Sequence, residues 1–243
     1  MEKQARSIWM PWVKSSNLIF IALICHLWHN NYMKFENLLS LLGDQPIFET
    51  GLLLVGNVDP NDVRRQLSRW TRAGKIRQLR RGLYAFAPPH SKAVSHPFFI
   101  ANALVTGSYV SGTSALAHYG LIPEYVPRTF SVTLTRPLQR DGGFVFQNLA
   151  PHLFFGYQSI EVAKGQFAFI AQPEKAILDL AHLTPNSDSK EYLTQLRLQN
   201  LERLDLNRLQ EFAERADKPK WKRVASHVTS LALQEKHEYE ELR

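Results

Sequence analysis

Between Phe35 and Ala87 the apolar positions recur first at helical spacing and then at strand spacing. Phe35–Leu42 reads as a first helix, with Leu38, Leu39 and Leu42 on one side, and Gly43-Asp44-Gln45-Pro46 as the turn that ends it. Glu49–Val55 reads as a short second helix, punctuated by Gly56-Asn57. Val63, Leu67 and Trp70 give a third helix its buried stripe. Asp59 stands where a side-chain oxygen accepts from an orphan N–H, and Pro60 at the first helical position loses no useful donor. Gly74 stands where a left-handed residue ends the helix. Lys75–Leu79 and Leu83–Ala87 then flank Arg80-Arg81-Gly82, which predicts a hairpin. Three short helices and a hairpin within residues 33–87 predict a winged helix-turn-helix.

Residues 88–94 contain Pro88-Pro89-His90-Ser91, expected to form an extended linker that halts the hairpin's second strand. From residue 95 to 184 the periodicity is mixed. Helices are expected at Phe98–Leu104 and Thr113–Tyr119, with Gly120 as a cap. Phe130, Val132 and Leu134 alternate with Ser131, Thr133 and Thr135, as in a half-buried strand. Asp141-Gly142-Gly143 before Phe144-Val145-Phe146 predicts a second hairpin; Phe167–Ile170 predicts a further strand, and Ala176, Ile177 and Leu180 an apolar helix face after Pro173. Residues 185–243 read as helical. Leu193, Leu196 and Leu201 mark one helix, and Leu209, Phe212 and Ala213 the next, which Asp205 caps. Trp221, Val224, Val228 and Leu231 form the stripe of a last helix, whose Glu-rich end from Glu235 is expected to fray. The expected fold class is α+β: a winged helix-turn-helix, a mixed α+β domain, and helices packed on that domain.

Charge sharpens this picture. Residues 60–82 hold eight Lys or Arg and one acid, Asp62, a net of +7. The whole chain is also +7, so everything outside this segment sums to zero. A concentrated cationic patch on an otherwise neutral chain is the electrostatic footprint of nucleic-acid binding. The candidate DNA-contacting residues are Asn61, Arg64, Arg65, Ser68, Arg69 and Arg72 on the third helix, with Arg77, Arg80 and Arg81 on the hairpin. Arg65, Ser68 and Arg72 are expected at base edges, Arg64 or Arg69 at the backbone, and the hairpin arginines at phosphates or the minor groove. Double-stranded DNA is the expected partner. Residues 185–243, with eleven basic and eleven acidic side chains, make an unsuitable second nucleic-acid surface.

Residues 1–32 are read as a non-native or disordered leader, with the working protein starting at Met33. The leader's apolar run, Leu18–Leu27, is about half of a membrane span, and no small-residue cleavage site follows it. His26 and His29 lack further ligands and give no metal site. A single cysteine, Cys25, excludes an intrachain disulfide framework and suits the cytoplasm.

Three stretches in order carry a family resemblance: Arg81-Gly82-Leu83-Tyr84, then Tyr109-Val-Ser-Gly-Thr-Ser-Ala-Leu-Ala-His-Tyr-Gly-Leu-Ile-Pro-Glu124, then Gln172-Pro-Glu-Lys-Ala-Ile-Leu-Asp179. Over about Phe35 to Leu183 the chain resembles the AbiEi family, the antitoxins and transcriptional regulators of type IV abortive-infection toxin–antitoxin systems. The resemblance implies an N-terminal winged helix that binds inverted repeats in its own promoter, as a dimer on the DNA, and represses the operon. It also implies a C-terminal domain that counteracts a nucleotidyltransferase-like toxin, with no direct complex required. The alternative is a nucleic-acid-processing enzyme that docks substrate on the basic helix. That reading needs a convergent acid or metal constellation. Glu161 and Lys164 are three apart, so they point to opposite faces of a strand, and Glu174 and Asp179 do not converge. Ser111 and Ser114 near His118 lack the acid of a triad, and Gly142-Gly143 lacks the context of a phosphate loop. No catalysis, cofactor or metal is expected.

Overall fold

The computed structural model describes residues 33–54, 58–92 and 94–241; the leader and Val55-Gly56-Asn57 lie outside the described residues. The chain divides into two compact units, Met1–Ser95 and His96–Arg243. The described residues form a mixed α+β structure with eight α-helices and two sheets.

In the first unit, α1 (Phe35–Leu42) leads into β1 (Phe48–Glu49), a 3₁₀ turn (Thr50–Leu53), α2 (Pro60–Arg72) and the hairpin β2 (Ile76–Arg80) and β3 (Leu83–Phe86). The three strands are antiparallel in the order β1-β3-β2. The second helix expected at Glu49–Val55 is therefore a strand followed by one 3₁₀ turn. Phe48 is drawn onto the sheet by stacking on Tyr84, at 5.8 Å between ring centroids, and Thr50 N–H donates to Gly82 O at 2.8 Å, leaving four residues for the turn. Leu38, Leu42, Phe48, Leu53, Val63, Leu67, Trp70, Ile76 and Phe86 make one core. Gln66, buried on α2, ties the entry to α1: Met33 N–H donates to its Oε1 at 3.2 Å and its Nε2 donates to Met33 O. The prolines after β3 do not run extended. Ala87 O accepts from His90 N and Ser91 N at 2.8 and 3.2 Å, closing a turn that lays His90 against Phe35.

The second unit is built on a six-stranded mixed sheet, ordered β6-β7-β5-β4-β9-β8. Its strands are β4 (Tyr109–Val110), β5 (Thr129–Thr133), β6 (Leu138–Arg140), β7 (Phe144–Asn148), β8 (Tyr157–Ala163) and β9 (Gln166–Ala171). The pairs β4–β9 and β5–β7 are parallel and the rest antiparallel. The expected alternation in β5 fails. Ser131 and Thr133 are as buried as Val132, whereas Phe130 is half-buried and Leu134 exposed. Helices α3 (Pro97–Leu104), α4 (Gly112–His118), α5 (Pro173–Leu183), α6 (Lys190–Gln195), α7 (Leu206–Ala216) and α8 (Pro219–Glu241) complete the unit. Helix α5 contacts α4, α7 and α8, and Trp221, Val224 and Val228 of α8 are fully buried. The single helix expected around Leu193–Leu201 is broken: Arg197 and Asn200 are left-handed, and Asn200 Nδ2 donates to Gly120 O at 2.7 Å. The last helix runs to Glu241, and Leu201 N–H donates to Glu235 Oε2 at 3.3 Å.

Candidate nucleic-acid interface

Helix α2 is shaped at both ends as its sequence dictates. Asp59 accepts from Asn61 N at 2.8 Å. At the other end Gly74 is left-handed (φ +68°), with Lys75 N–H donating to Trp70 O at 2.9 Å and Gly74 N–H to Thr71 O at 3.0 Å. That paired closure satisfies two end carbonyls and turns the chain directly into β2. Val63, Gln66, Leu67 and Trp70 face the core.

Every other candidate position on α2 is exposed: Asn61, Arg64, Arg65, Ser68, Arg69 and Arg72. At about 3.6 residues per turn, Asn61, Arg65, Ser68 and Arg72 fall on one outward strip, with Arg64 and Arg69 flanking it on opposite sides. Two contacts order the strip. Arg64 Nη1 donates to Asn61 Oδ1 at 3.2 Å, and Arg65 Nη2 pairs with Asp62 Oδ1 at 2.5 Å. On the hairpin Arg77 and Arg81 are exposed, whereas Arg80 is half-buried. Its Nη2 meets Glu49 Oε1 at 3.2 Å, and its Nη1 donates to Arg81 O at 3.2 Å. The arrangement offers guanidinium groups from one helix and one hairpin tip to an anionic partner. The Asp62–Arg65 tie was visible in the sequence as an i, i+3 pair. The Glu49–Arg80 tie, 31 positions apart, carried no local signal.

The residues weighed for catalysis go elsewhere. Glu161 Oε1 accepts from Gly165 N at 2.8 Å, as a turn brace beside Lys164. Ser114 Oγ donates to Arg128 O and accepts from Phe130 N, so it does not meet His118. Ser111 reaches a cluster that the sequence reading missed. Lys175 and Asp179, one turn apart on α5 and fully buried, form an ion pair. Tyr109 OH accepts from Lys175 Nζ at 2.9 Å and donates to Asp179 Oδ2 at 3.0 Å; Ser111 Oγ donates to the same oxygen at 2.7 Å. Tyr109, Phe155 and Trp221 surround the ammonium at 5.1–5.5 Å. Burial pushes the Lys175 ammonium below its usual pKa, with Asp179 pulling the other way; burial and then Asp179 hold the Tyr109 phenol well above 10.0. Gly156, left-handed at φ +70°, lets the backbone pass this cluster: a Cβ there would lie 2.9 Å from Phe212 and 3.2 Å from Lys175 Cβ.

Among the described residues no group of three His, Cys, Asp or Glu is placed to hold a metal, and no helix is long and apolar enough to cross a membrane. No protein-family model and no curated protein matches the chain. Among solved structures it resembles the RV2827C protein from Mycobacterium tuberculosis, at 16% sequence identity over 81% of this chain and 79% of that one, with a TM-score of 0.47.

Proposed function

We propose that the first unit is a winged helix-turn-helix that binds double-stranded DNA, with α2 entering the major groove and the β2–β3 hairpin lying beside it. One observation carries the reading: residues 60–82 hold a net charge equal to that of the whole chain, and four of their cations stand exposed on a single helix, with two more exposed on the hairpin that follows it. The order helix, strand, turn, helix, hairpin, with β3 between β1 and β2, supports it. So does the stiff seating of α2 through Gln66 and its capped ends, because base readout needs a helix held in register. The resemblance in Arg81–Tyr84, Tyr109–Glu124 and Gln172–Asp179 extends the proposal to a cytoplasmic autorepressor and antitoxin of a type IV toxin–antitoxin system. Its functional counterpart is a nucleotidyltransferase-like toxin.

A gel shift tests the DNA half, using the chain's own upstream region against a random duplex. Arg65→Ala is expected to cost about 1–3 kcal/mol on the preferred sequence and much less on the random one. Equal loss on both would remove Arg65 from base readout. For the antitoxin half, the full chain carrying Arg65→Ala, Arg69→Ala and Arg72→Ala together should lose promoter repression yet still rescue cells from the toxin. Rescue lost together with repression would make the antitoxin effect merely transcriptional.

A further inference from the structure

Asp62 is the one acid among the eight cations of residues 60–82. A carboxylate at that position repels the phosphates that its neighbours attract, so on affinity alone it is a cost. Its position suggests a compensating role. Side chains on a helix lean toward its N-terminus, which brings Arg65 back over the residue three before it. Asp62 Oδ1 and Arg65 Nη2 meet at 2.5 Å, with the carboxylate side chain 24% exposed and the arginine 66% exposed. The arginine thus stands out from the helix while its tip is held from below. A guanidinium has five N–H donors, so one spent on Asp62 leaves a pair for the acceptor atoms of a base edge.

We propose that Asp62 is a positioning residue for Arg65: it fixes the guanidinium in one outward orientation and trades non-specific affinity for sequence discrimination. This rests on the DNA-binding reading above. Untethered, Arg65 would swing between base edge and phosphate, and a phosphate contact carries no sequence information. Arg64, on the flank, is tied to the neutral Asn61 instead, which leaves its full charge available to the backbone.

The test uses the full-length protein unaltered and with D62A, R65A and both. The duplexes are the sequence that the unaltered protein selects from a randomised pool and a random-sequence control. D62A is expected to lower the selected-to-random affinity ratio about tenfold, the scale of one bidentate base contact, while binding the random duplex several-fold more tightly. In the R65A background, D62A should leave the ratio unchanged, since the coupled partner is gone. A purely structural role for Asp62, as a first-turn acid beside the positive helix end, predicts a lower Tm and equal loss on both duplexes, which would overturn the proposal. So would a D62A effect on the ratio that survives in the R65A background, because Asp62 would then be reading a base itself. Should D62A fold poorly, D62S removes the charge, draws the side chain back from Arg65 and carries the same comparison. If R65A lowers the ratio and D62A does not, the positioning role falls and the DNA reading stands. If the unaltered protein prefers no duplex, both fall.

Discussion

The cations of α2 and the hairpin and one lysine of α5 are held in opposite ways. On α2 and the hairpin, Arg64, Arg65, Arg69, Arg72, Arg77 and Arg81 stay exposed. In the second unit Lys175 is fully buried, its ammonium shared between Asp179 and Tyr109 and ringed by aromatic faces. Exposed ion pairs contribute about 0–1 kcal/mol, so surface cations are nearly neutral to folding and remain available to a partner. Buried ions each lose several kcal/mol of hydration and persist only where nearly every proton and lone pair is placed. Charge stands in water on α2 and is locked into the architecture at α5.

The largest effect that tests this contrast is expected at α5. Lys175→Met strands the Asp179 carboxylate in an apolar interior and should destabilise the protein by about 3–5 kcal/mol. Pairing it with Asp179→Leu should recover much of that loss, because no uncompensated charge remains. Urea denaturation of the single and double variants measures this, and simple additivity would break the contrast. The hairpin sharpens it at smaller scale. Arg81→Ala should leave stability within about 0.5 kcal/mol while lowering the log–log salt slope of DNA binding by about 0.9. Arg80→Ala, already drawn onto Glu49, should lower that slope by less and cost up to about 1 kcal/mol of stability. Equal slopes for the two variants would show that the Glu49 tie does not hold Arg80 back.

The smallest effect is a pH dependence from three histidines of the second unit. His96, His118 and His182 have pKa values pushed below 6.5, in each case first by burial. The unfolded chain therefore takes up protons before the folded one as pH falls. Their contribution is complete above about pH 6.5 and is lost as pH drops through the folded values, so Tm should decline from pH 7 toward pH 5. His96 Nδ1 accepts from Phe98 N at 3.2 Å at the start of α3, and protonation removes that acceptor. His96→Asn keeps a capping acceptor and should flatten part of the decline. An unchanged profile would place the proton uptake elsewhere.

The same divide between exposed and buried governs what the sequence makes legible. The ends of α2, its buried stripe, the outward strip and the second hairpin follow from local spacing, because caps, periodicity and turn glycines act over a few residues. Strand β1 did not, because Phe48 is held by Tyr84, a partner 36 positions away. The burial of Ser131 and Thr133 in β5 depends on what packs against the strand, α3 and α4 among it, which no alternation within the strand encodes. The Lys175–Asp179 pair was written at i, i+4, yet only the fold brings Tyr109 and Ser111 to it from β4 and the turn that follows. Charge in water announces itself by composition; charge in the interior is defined by partners far along the chain.

The Gln66 amide bears on how such a chain diverges over generations. It answers both the N–H and the C=O of Met33, 33 positions away, with one acceptor and one donor. Asn is a methylene too short for the same reach, and ionised Glu supplies acceptors only, so few substitutions at this position keep both bonds. Positions 61, 65, 68 and 72 carry no such obligation, since their side chains leave the core untouched. A duplicated copy can keep the hidden face of α2 while the outward one drifts. In the reading proposed here, that drift rewrites the address on the DNA and leaves the scaffold that delivers it intact.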